Sequence, residues 1–109
     1  MTIVDESGSP LIDTIAVMTR ASVANSELVE RELLLVRLAC LIAQDASQVS
    51  YLYNLAAASG PALTAGEVES VLVAAAPLVG TARVVAAAEK ISEALGYAIS
   101  VHDLLAPRG

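Results

Sequence analysis

Apolar residues recur along this chain at helical spacing, broken by short polar or Gly/Pro stretches, and no segment keeps the alternation of a strand. Residues 1–9 (Met-Thr-Ile-Val-Asp-Glu-Ser-Gly-Ser) read as a polar tail. Pro10 suits the first turn of a helix that runs to Ala24. Asn25-Ser26 then offers an N-cap to a second helix, Glu27 to Gln44, which is Leu-rich and apolar around most of its circumference. Asp45 with Gln48 three residues on reads as a capping box for a third helix over 46–58, ended by Gly60-Pro61. Thr64-Ala65-Gly66-Glu67 is another such box, opening a fourth helix to Ala76, after which Pro77 and Gly80 break or kink the chain. A fifth helix covers 81–95, with Gly96 as its stop. Tyr97 to Leu105 fits a short extended piece or a helical turn equally well. The prediction is an all-α bundle of five to six helices, one domain spanning 10–109.

Composition adds a constraint on assembly. The chain has 109 residues, 56% of them hydrophobic and 17% charged; globular domains average roughly 45–50% and about 25%. A domain this short buries only about 60–70% of its extended-chain surface. Excess apolar area therefore needs a partner, and a homo-oligomer is the simplest expectation. Membrane insertion is the rival. Its candidate stretches, Leu33 to Ala43 and Val71 to Ala82, are interrupted by Arg37 and by Pro77 and Gly80, and both fall short of the ~20 residues a span requires. With no basic, then apolar, leader pattern at the start, a soluble cytoplasmic protein is expected.

Charge and special residues narrow the chemistry. The net charge is −6, and the six basic residues are scattered, which disfavours nucleic acid as a partner. One cysteine, Cys40, excludes an intrachain disulfide or a C-x-x-C pair, and with the single histidine, His102, it makes no ordinary zinc site. No cofactor is expected. Cys40, set among Leu38, Ala39 and Leu41, fits a small buried hydrophobe, and His102 fits a surface position near the C-terminus.

Two groups of polar residues are candidates for chemistry. On the third helix Ser47, Ser50, Tyr51 and Asn54 share one face, with Val49, Leu52, Tyr53 and Ala56 opposite. That stripe reads either as a solvated face or, because it lacks Lys and Glu, as the wall of a sheltered pocket or interface. On the second helix Glu30, Arg37 and Gln44 lie on one line. Arg37 reads either as half of an ion pair, with Glu30 or with a neighbouring subunit, or as a fork for a substrate carboxylate. Glu32, roughly 140° round the helix from Arg37, reads as a general acid or base if sheltered, or as a first-turn glutamate favoured by the helix dipole.

Several segments together carry a resemblance: Arg31-Glu32-Leu33 at the start of a long apolar helix, the link Ala62-Leu63-Thr64-Ala65-Gly66-Glu67-Val68, and the step Pro77-Leu78-Val79-Gly80-Thr81-Ala82-Arg83. From Glu30 to about Leu95 the chain resembles the carboxymuconolactone decarboxylase and alkylhydroperoxidase D family. The resemblance places Ser47, Ser50 and Asn54 where redox members carry C-x-x-C-x-x-x-H, and Glu32 at the family's acidic position. Serine cannot replace a redox thiolate and asparagine is no base near pH 7, so thiol peroxidase chemistry is not implied. The decarboxylase branch needs no cysteine pair, but usually keeps the histidine that this chain lacks. What the resemblance implies is a homotrimer or homohexamer and a cofactor-independent lyase- or isomerase-type enzyme on a small anionic or lactone-type molecule. Glu32, Ser47, Ser50 and Asn54 would be catalytic, with Arg37 and Tyr51 binding substrate. The alternative is a catalytically silent oligomeric binding or scaffold protein. Convergence of Glu32, Tyr51 and Asn54 on a cavity would favour the enzyme; a site packed shut by Leu and Ala would favour the scaffold.

Overall fold

The computed structural model describes residues 9–55 and 63–96, and these form five α-helices with no strand among them: α1 (Pro10–Asn25), α2 (Glu30–Ala43), α3 (Gln48–Leu55), α4 (Ala65–Val79) and α5 (Thr81–Leu95). The residues 1–8 of the expected tail, the Gly60-Pro61 break, Ala56, His102 and the segment after Gly96 lie outside the described residues.

Four helices make the core. Each contributes residues at helical spacing: Leu34, Leu38, Leu41 and Ile42 from α2; Val68, Leu72 and Ala75 from α4; Val84, Ala87, Ala88 and Ile91 from α5. The shorter α3 adds Tyr51 and Leu55. Around the bundle the order is α2, α4, α5, α3, each packed on the next and α3 closing on α2. Ala87 and Ala88 present small side chains to the centre, which lets neighbouring axes approach. α1 stands apart. It buries no residue, and none of the core helices packs along it. The radius of gyration is 15.6 Å and the longest extent 60 Å, against the roughly 13 Å radius of a compact domain of about 100 residues.

The helix ends differ in part from the sequence reading. Ser9 caps α1, its Oγ accepting from the Ile12 amide. α2 starts three residues later than Glu27, because Ser26 closes a turn instead, its Oγ accepting from the Leu28 amide. The carboxylate of Glu32 reaches back to the Val29 amide and supplies one half of the cap of α2. Asp45 does not cap α3. It holds a left-handed φ of 56° just past α2, where the Asp45 amide donates to Ile42 O and the Ala46 amide to Leu41 O. That hydrogen-bond pair is a Schellman ending, with Asp in the place Gly usually takes. Ser47 is the cap of α3, accepting from the Ser50 amide. α4 continues through Pro77 to Val79, since a proline one turn from the end removes only one late hydrogen bond. The break falls at Gly80, whose φ of 92° ordinary residues avoid. Thr64 and Glu67 form the expected box, and Gly96 ends α5 with a φ of 74°.

Candidate functional site

The α3 face carrying the polar stripe turns toward the bundle, and its apolar flank turns out. Tyr51 is fully buried, and Ser50 and Asn54 are half-buried beside it, whereas Val49 is 73% exposed and Leu52 48%. The stripe is solvated only at its start, where Ser47, the cap of α3, is exposed. Within the stripe the groups satisfy one another. Ser47 Oγ donates to Ser50 Oγ at 3.2 Å, and Asn54 Nδ2 donates to the Ser50 carbonyl at 2.9 Å. The Tyr51 hydroxyl is buried with no hydrogen-bond partner among the described residues. Burial, with a smaller push from the charge of Asp45, raises its pKa to about 12.

Glu32 lies elsewhere. It is exposed at the first turn of α2 and occupied with the Val29 amide. Arg37 is half-buried and makes no ion pair among the described residues. Cys40 is exposed on the outer side of α2, contrary to a buried hydrophobe, because the buried line of that helix runs through Leu34, Leu38 and Leu41. The structure thus brings Ser47, Ser50, Tyr51 and Asn54 together on α3 and leaves Glu32 at the far end of α2.

The polar contacts between helices join residues that the sequence marked only for helix caps or family motifs, or not at all. Glu67 accepts from the Thr64 amide at 2.8 Å and pairs with Arg31, tying α4 to α2. Its pKa is lowered, first by that amide hydrogen bond and then by Arg31. Lys90 of α5 pairs with Asp45 at 3.0 Å, and its hydrogen bond lowers the Asp45 pKa. Arg83 donates to the Ala43 carbonyl at 2.8 Å, and Gln48 to Glu93 at 3.0 Å. Arg83 and Lys90 thus sit at the C-terminal end of α2, where its free carbonyls favour cations. The sequence signal for them was faint, since each joins residues far apart in the chain.

Among the described residues a groove of about 520 Å³, open to solvent, lies between α2 and α4. Leu35 forms one wall and Gly66, Ser70, Val71 and Ala74 the other, with Thr64 and Glu67 at one end. None of the six proposed site residues lines it. No group of His, Cys, Asp and Glu suited to a metal occurs among the described residues, and no helix there is long and apolar enough to cross a membrane. Beyond the groove the outer surface is unusually apolar: Val36 on α2, Val73 and Leu78 on α4, Val49, Leu52 and Tyr53 on α3 are all exposed. So are Leu11, Ile12, Val17, Met18 and Val23 on α1.

No family model, curated protein or solved structure matches the chain.

Proposed function

We propose that this chain is a self-associating helical module, a protein whose work is carried by a surface that binds copies of itself. The observation behind this reading is the apolar exterior. Among the described residues, thirteen large apolar side chains lie exposed and eleven lie in the core. A monomer seldom exposes contiguous apolar patches beyond a few hundred Å². A helix apolar on its inner and outer sides, as α4 is with Val68 and Leu72 within and Val73 and Leu78 without, belongs inside a larger assembly. A membrane surface fits less well, because α1 carries only Arg20 as a cation and the chain has a net charge of −6. Sedimentation velocity at micromolar protomer tests the proposal. A defined oligomer is the expected result; a folded monomer overturns it.

A second reading, the cofactor-independent lyase of carboxymuconolactone decarboxylase type, has one observation on its side. The unpartnered, buried Tyr51 hydroxyl sits on the same face as Ser47, Ser50 and Asn54. A ligand oxygen would satisfy it. Turnover of lactone acids that is lost in Tyr51→Phe and Asn54→Ala would support this reading, and no turnover by the assembled wild type would remove it.

A further inference from the structure

The part of the molecule least explained by its own fold is α1. Its sequence builds an amphipathic helix: Leu11, Ile15, Met18 and Ser22 form one line, flanked by Ile12, Thr19 and Val23. The two charged residues of α1, Asp13 and Arg20, fall on the opposite side. Yet among the described residues the apolar side is largely open, with only Ile15 and Thr19 half-buried. Leu11 is 66% exposed and Met18 64%. A 16-residue helix alone in water is marginal, so α1 needs a surface to lie on.

The same chain carries a face of matching character. Gly66, Ser70 and Ala74 succeed one another every fourth residue along the α4 side of the groove, and Leu35 rises opposite them. Val73 and Pro77 extend the apolar surface outward. Small residues along the middle let a helix axis approach toward the lower end of the usual 8–10 Å. Of the charged groups near this face, Arg31 and Glu67 are paired with each other at one end of the groove, and Glu69, one turn before Val73, is exposed at its outer edge. An apolar helix laid between Leu35 and the Gly66-Ser70-Ala74 line therefore meets a pair already made and leaves Glu69 at the solvent edge.

The connection between α1 and α2 decides whose face α1 covers. The four residues 26–29 hold α1 away from its own bundle. Ser26 and Val29 are both extended, with ψ of 143° and 163°. The amides of Ser26, Leu28 and Val29 are bound to Val23 O, Ser26 Oγ and Glu32 Oε1. Folding α1 back over its own α2 and α4 requires a chain reversal that breaks these bonds. We propose, building on the self-association reading, that α1 is an exchanged arm: it seats in the α2/α4 groove of a second copy, which returns its own α1 in a two-fold dimer.

Area favours the reciprocal form. A helix ~24 Å long and ~10 Å across buries on the order of 400 Å² of itself and about as much of the face beneath. One arm thus removes roughly 800 Å², the scale of a crystal contact, whereas two arms in one interface reach roughly 1,600 Å², a standard stable size. A ring with a single arm per interface stays at the lower figure. The two-fold pair does not.

Two full-length variants test the exchange, Met18→Glu on the arm and Ala74→Glu on the face. Both positions are exposed in the protomer, so circular dichroism should show unchanged helix content. Sedimentation equilibrium should show each variant weakening the dimer by at least about 100-fold, because the introduced carboxylate is buried unpaired on association. An equimolar mixture should associate more tightly than either variant alone, since the mixed pair keeps one unaltered arm on one unaltered groove. If the wild type is a monomer, the exchange and the self-association reading both fall. If it assembles and neither variant weakens it, the exchange is wrong and self-association stands. If both weaken it but mixing restores nothing, the two positions do not meet and the exchange is overturned.

Discussion

α1 and α4 are helices of nearly equal length, 16 and 15 residues, α4 the more apolar of the two, with opposite fates. α4 has Val68, Leu72 and Ala75 locked into a bundle, a capping box at its start and Glu67 tied to Arg31. α1 has a cap at Ser9 and an apolar stripe, and no described helix packs along that stripe. The difference shows that amphipathic patterning makes a helix but does not say what it covers. For α4 the cover is in the same chain. For α1 it is on another molecule, in the reading proposed here.

Side-chain deletions in the two regions should differ the most. Leu38→Ala, at a position with no exposed surface, should cost about 2–5 kcal/mol in denaturant unfolding, a large share of a typical 5–15 kcal/mol. Met18→Ala should leave the protomer within about 0.5 kcal/mol, its effect appearing only as a concentration-dependent loss of assembly. A concentration-independent loss in Met18→Ala would mean that α1 packs within its own chain. Next in size, Thr64→Ala removes the Oγ acceptor for the Glu67 amide at 3.0 Å. The expected cost is about 1 kcal/mol, or roughly 4–8 °C in Tm by calorimetry.

Smaller effects probe the polar groups. Tyr51→Phe removes a hydroxyl that is buried without a partner. The change should be neutral or stabilising by up to about 1 kcal/mol, because no hydrogen bond is lost. It should also alter the alkaline limit. The folded pKa of Tyr51 is raised from 10.0 to about 12, so stability is fully present below pH 10 and declines as pH rises from there toward the folded value. Phe at this position should flatten that decline in a pH series of urea midpoints. The smallest effect expected is on the acid side. The pKa of Glu67 is lowered from 4.5 by the Thr64 amide and Arg31. Its contribution is present above 4.5 and lost as pH falls through the lower folded value. Glu67→Gln should therefore be less sensitive to acid in that window, the exposed pair being worth little in itself.

Much of the fold was legible because its signals are local. Pro10, the Thr64–Glu67 box, Gly80 and Gly96 mark helix ends through hydrogen bonds within one turn, and all four act as the pattern suggested. Asp45 and Asn25-Ser26 misled for the same reason. Asp, Asn and Ser serve equally well in caps, turns and left-handed endings, and the choice among them depends on the neighbouring backbone. The candidate site was less legible. Ser47, Ser50, Tyr51 and Asn54 do share a face, but periodicity cannot say whether that face looks inward. Glu32 had two readings, and the distance to a backbone amide, not the residue type, decided for the cap.

The chain's own pattern of Leu, Val and Ala at spacings of three and four, punctuated by Gly and Pro, was enough to specify helices and an all-α class, because helix formation and termination are settled by neighbours in sequence. Which side of each helix becomes interior was a tertiary decision. Burial depends on which other surfaces are within reach, and Arg31 with Glu67 or Asp45 with Lys90 meet only once the bundle has closed. The exposed stripe of α1 and the exposed outer side of α4 are the remainder of that decision: apolar area the sequence encoded and the described helices leave open.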